Sequence, residues 1–222
     1  MQFTQVARRL GVASAFATVV LLVVYPVALV VGLLTSFGSM AQPIRGPMLS
    51  VLEIVKIAMM PSIVTLMVAV HAWAPARSKA LSLAAVVFTG LLAGVSSSLQ
   101  FVILAVSHKP SLTQQQSWLP LFLAFRWPSY ALDTLAWNVF FPLAMLFAAP
   151  VLSGSPLARW IRWLMITSGV LAFAGLGGVV WRDMKLGEIG VTGYGPVFFA
   201  VAVLLAILFH RSRPVEADHR SA

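Results

Sequence analysis

Six apolar runs, each long enough to cross a lipid bilayer, constrain this chain more than any other feature. A helix rising about 1.5 Å per residue needs roughly 20 apolar residues to span the hydrocarbon core. The runs fall at approximately Val12–Phe37, Ser50–Trp73, Ala80–Ser107, Ser129–Leu152, Trp160–Trp181 and Gly193–His210. The last is the shortest and opens in the stretch "GVTGYGP". Ten-residue segments of alternating polarity, which a membrane β-barrel requires, are missing. The sequence therefore predicts an all-α polytopic membrane protein, a six-transmembrane-helix bundle. Residues 1–211 form a single transmembrane domain in this reading, and 212–222 a disordered cytoplasmic tail.

Composition agrees. The chain is 60% hydrophobic and 9% charged, whereas a soluble domain is about half apolar and a quarter charged. So few charges could not cover a soluble surface, and the apolar excess must face lipid. The net charge of +9 does not imply nucleic acid, because the basic residues lie in short gaps between apolar runs. The absence of cysteine excludes disulfides, thiolate metal sites and thiol catalysis. The first run is about twice the length of a signal-peptide core and is read as a retained helix.

Charge sets the expected orientation. With the N-terminus inside, Arg8, Arg9, Arg77, Lys79, Arg159, Arg162, Arg211, Arg213 and Arg220 are cytoplasmic, against Arg45, Lys109, Arg126, Arg182 and Lys185 outside. The bias predicts both termini on the cytoplasmic side of a cell membrane, by type a bacterial inner membrane. Trp73, Trp160 and Trp163 would then mark the inner interface, and Trp118, Trp127, Tyr130, Trp181 and Tyr194 the outer one. The long outer link holds an apolar piece, Leu119–Phe125, too short to span and expected to lie at the interface or dip partway in.

Small residues recur at four-residue spacing: Ala28 and Gly32 on the first span, Gly90, Gly94 and Ser98 on the third, Ala174 and Gly178 on the fifth. Such rows let helix backbones approach closely. Packing within the molecule is the default expectation, and a homodimer or a membrane-protein partner the alternative. Pro26, Pro61 and Pro142 lie inside spans and should kink them.

The polar residues carry the functional expectation. Glu53 and Lys56 on the second span, Ser97 and Gln100 on the third, and Asp133, Thr134, Trp137 and Asn138 on the fourth all fall in the outer half of the membrane. At about 100° per residue, Asp133, Thr134, Trp137 and Asn138 share a face of the fourth helix with Phe141 and Met145, opposite Leu132, Leu135, Val139, Leu143 and Leu146. They are expected to frame an outward-facing polar vestibule. Intramembrane ionisable residues point to function by default. The structural alternative is that Glu53 pairs with Lys56, that Asp133 pairs with Lys56 or Arg126, and that the amides and hydroxyls only bridge helices.

No catalytic, cofactor or metal set emerges. The four histidines, His71, His108, His210 and His219, do not share a depth, and no P-loop or dinucleotide fingerprint occurs. "SGSP" at Ser153–Pro156 reads as a turn. Three functions follow as expectations: small-solute binding or transport through the vestibule; a non-catalytic accessory subunit docked through the small-residue rows; and an intramembrane enzyme on a lipid-linked substrate, with Glu53 and Asp133 as an acid/base pair.

Overall fold

The computed structural model describes residues 4–35, 47–107, 128–181 and 184–212. Leu119–Phe125, the tail from residue 213, Arg45, Lys109, Arg126, Arg182, His108, His219, Trp118 and Trp127 lie outside the described residues. Six helices are long and apolar enough to cross a membrane: α1 (Gln5–Thr35), α2 (Pro47–Trp73), α3 (Lys79–Ser107), α4 (Pro128–Val151), α5 (Pro156–Val180) and α6 (Lys185–Arg211). No strand occurs among the described residues. The chain is a multi-pass helical membrane protein.

Each helix packs on its neighbours in sequence, and α6 closes the ring on α1. Short links force this. A single 3₁₀ turn, Ala76–Ser78, joins α2 to α3. Between α4 and α5, Gly154 adopts φ +95°, a left-handed conformation that favours glycine. Ser155 then caps α5, its hydroxyl accepting from Ala158 N at 3.1 Å, with Pro156 in the first turn. "SGSP" is a turn and cap.

Burial separates the helices. Only 11% of the most apolar window of α1 is buried, against 56% of that of α4. Thus α1 is a lipid-facing wall and α4 the most enclosed element. The largest fully buried side chains include Phe141 and Met145 of α4, Phe198 and Phe209 of α6, and Met60 and Ile63 of α2. Trp160 and Trp163 are exposed on α5 near one end of the bundle, and Trp181 at the other, as interfacial belts require.

Close approach of α5 to α6 and to α4 depends on glycine. A Cβ on Gly193 would sit 2.7 Å from Ala172 N and from Ser168 O, and one on Gly169 2.9 Å from Leu146 Cγ. The rows expected from spacing are used differently. Ala28 and Gly32 are buried, as expected of a packing face, but Ala174 is exposed and Gly178 only partly covered. Gly175 and Gly177 supply the buried side of α5 instead. The row on α3 is not an internal contact at all. Gly90, Gly94 and Ser98 are exposed, and Cβ atoms on Gly90 and Gly94 would meet nothing within 4 Å. Four-residue spacing aligns small residues on a stripe but does not say which side of the helix lipid covers.

Two helices contain a π turn, Ala136–Phe140 in α4 and Gly193–Val197 in α6. Both sit against a proline. Pro142 follows the first and Pro196 lies in the second, and a proline offers no N–H to the preceding turn. The wider turn takes up the lost bond: Phe141 N–H reaches Ala136 O, and Phe198 N–H reaches Gly193 O. "GVTGYGP" is therefore inside α6. This span is longer than the sequence pattern suggested, because its glycines serve close packing and do not end the helix.

Candidate functional site

Three helices bring polar side chains together in the half of the bundle remote from the termini. From α2 come Glu53 and Lys56, from α3 Gln100, and from α4 Asp133. Gln100 is fully buried, Glu53 is 5% exposed, and Lys56 and Asp133 are partly buried. Gln100 Nε2 donates to Asp133 Oδ1 at 3.4 Å. Lys56 lies within electrostatic reach of Asp133 and Glu53, which also act on each other. Its Nζ stands 5.6 Å from the centroid of the Tyr25 ring on α1, at cation–π range.

The cluster is not saturated. Among the described residues, Glu53 Oε2, Gln100 Oε1 and Ser96 Oγ are buried without a hydrogen-bond partner. Each such group costs about 1–3 kcal/mol, and a charge deep in a bilayer roughly 3 kcal/mol on insertion scales. Helix bridging alone would not call for three orphaned polar atoms in one region.

An aromatic wall stands beside the charges. The Trp137 ring is 5.1 Å from that of Tyr194, tilted at 43°, and 5.8 Å from that of Phe141. Phe141 in turn meets Tyr194 and Phe198 edge to face. Trp137 lies in the π turn of α4 and Tyr194 in that of α6. Tyr194 is in electrostatic reach of Asp133, Tyr25 and Tyr130.

The sequence-predicted residues thus divide. Glu53, Lys56, Gln100 and Asp133 come together, and Trp137 joins them through the aromatic wall. Ser97 and Thr134 are partly buried, but no hydrogen bond joins either to Gln100 or Asp133 among the described residues. Asn138 belongs elsewhere. Its Nδ2 donates to Ala172 O on α5 at 2.8 Å, and it fills the space left by Gly175 and Gly190. It fastens the α4–α5–α6 junction, and the polar frame expected to include it does not. The reason is that α4 is enclosed on several sides, so one inward arc serves more than one neighbour.

Three contributors were not singled out by sequence. Tyr25 carried no distinguishing signal, and Ser96, one turn before Gln100, shares a serine run with Ser97 but was not chosen as a site residue. Tyr194 was expected at the outer interface, yet it is partly buried against Trp137. The glycines and proline around it, inside an otherwise apolar run, were the available sign. Among the described residues, no three His, Asp or Glu side chains gather in a way that could hold a metal ion. No protein-family model, curated protein or solved structure matches this chain.

Proposed function

We infer that this protein binds a small polar or amphiphilic solute at the Glu53–Lys56–Gln100–Asp133 cluster and conducts it across the membrane. The reading assigns the cluster to an outward-facing vestibule, both termini to the cytoplasm, and the protein to a bacterial inner membrane, on the distribution of Lys and Arg. One observation carries it: buried acceptor atoms on Glu53 and Gln100 lack partners beside a hydrogen-bonded Gln100–Asp133 pair. Asp133 is assigned the coupling role, because it is the carboxylate that touches both Gln100 and the field of Lys56. In proteoliposomes, solute-evoked currents or tracer uptake should be measured across a panel of anionic, neutral and cationic small solutes. Asp133→Asn should abolish the response that the native chain gives. Equal flux in the variant would remove Asp133 from the pathway, and silence of the native chain across the panel would end the transport reading.

A second reading rests on a different surface. Gly94 and Ser98, with Val95, Leu99, Val102 and Leu132, line a lipid-facing groove of about 440 Å³ between α3 and α4. An exposed small-residue row is what a second transmembrane helix packs upon. This supports the role of an accessory subunit, or a homodimer, and the two readings are compatible.

A further inference from the structure

The chemistry of the unsaturated cluster narrows the solute to a class. We propose that the site takes a small ligand bearing a single organic ammonium group, held by Glu53, Gln100 and Asp133 and walled by Tyr25, Trp137 and Tyr194. The proposal deepens the solute-binding reading and rests on it.

The donor and acceptor inventory comes first. Against a carboxylate an amide must present its NH₂, so the Gln100–Asp133 bond leaves Gln100 Oε1 as a bare acceptor. Glu53 Oε2 is an acceptor as well. Two fully desolvated acceptors flanking a second carboxylate call for a ligand that donates several hydrogen bonds at once, and an alkylammonium carries up to three. A carboxylate or phosphate ligand would add acceptors to acceptors.

Charge gives the same answer. Among the described residues, the cluster formally holds two carboxylates, Glu53 and Asp133, against the one ammonium of Lys56. One further positive charge balances it, and in a low-dielectric setting that balance matters more than in water. The aromatic surroundings then separate an organic cation from an inorganic one. Hard metal ions need a cage of oxygen ligands, and the described residues offer no group of three carboxylate or imidazole side chains. Ammonium groups, in contrast, rest favourably on aromatic faces. The protein already uses that contact, since Lys56 Nζ lies 5.6 Å from the Tyr25 centroid. Trp137 follows Asp133 by one turn of α4, and Tyr194, whose ring centroid is 5.1 Å from that of Trp137, lies within electrostatic reach of Asp133.

The test is binding to the full chain in lipid nanodiscs, read by calorimetry and by Trp fluorescence. The probes are ethylammonium, its neutral counterpart ethanol, and sodium chloride. The expected result is saturable binding of ethylammonium at least about tenfold tighter than ethanol, weakened about tenfold or more in Asp133→Asn. The native-chain comparison of charged with neutral probe needs no variant to fold. Equal affinity for both, or binding of sodium alone, would overturn the ammonium class and leave solute binding standing. Absence of binding by every probe, together with silence across the transport panel, would remove both.

Discussion

Asp133 and Asn138 are five residues apart on α4, yet they answer to different neighbours. Asp133 receives Gln100 of α3, while Asn138 reaches Ala172 of α5. Helical phase in the sequence separated inward from outward residues only in part: Trp137, Asn138, Phe141 and Met145 are buried and Leu132 and Leu135 exposed, but Val139, Leu143 and Leu146, expected outward, are partly buried, and Leu146 lies against Gly169 of α5. Phase could not assign an inward residue to one neighbour, because an enclosed helix has protein on several sides. The same difficulty divides the glycines. At Gly175 a Cβ would collide with Asn138 Nδ2 and come within 2.7 Å of Gly190 Cα, whereas at Gly94 it would meet nothing within 4 Å. Gly175→Ala should therefore destabilise the protein by about 1–3 kcal/mol, the cost of overpacking. Gly94→Ala should be neutral or slightly stabilising, since alanine is the better helix former by about 1 kcal/mol. Thermal denaturation in detergent, followed by monodispersity, separates the two. Equal melting temperatures would mean that α5 and α6 do not cross as closely as the structure places them.

At the scale of elements, the long apolar runs were legible because length and hydropathy alone report a bilayer's thickness. The π turns were not, since a local widening of a helix leaves no mark on hydropathy. Only Pro142 and Pro196 hinted at them. Their consequence is specific: the two wider turns carry Trp137 and Tyr194, and so set the aromatic wall of the site. The lipid-facing edge of α3 is a separate element with its own expectation. Gly94→Leu would extend into the groove between α3 and α4 from a position where a Cβ meets nothing within 4 Å. The variant should keep its fold and its melting temperature. If a second helix docks there, it should also lose co-purification with that partner or shift from dimer to monomer on size-exclusion chromatography. An unchanged assembly would assign the groove to lipid alone.

For the whole molecule, the ring is closed where the chain's ends meet. Arg8 of α1 donates from Nε to Phe209 O at 3.2 Å and from Nη2 to His210 O at 2.7 Å, satisfying carbonyls in the last turn of α6. Gly11 lets the Phe209 ring lie against α1. Both ends of the bundle's chain thus share one end of the ring, and the charged cluster lies toward the other. Which end is cytoplasmic decides from which compartment a solute enters. The orientation proposed from the basic residues near the termini puts that end inside, and the absence of native cysteine allows a direct measurement. Ala76 and Pro47 are exposed at opposite ends of α2 and its link. In intact cells, a membrane-impermeant maleimide should label Pro47→Cys and spare Ala76→Cys until the membrane is opened. Labelling of Ala76→Cys alone would invert the bundle. It would turn the Glu53–Asp133 cluster toward the cytoplasm, and the flux assay would then have to supply solute from that side.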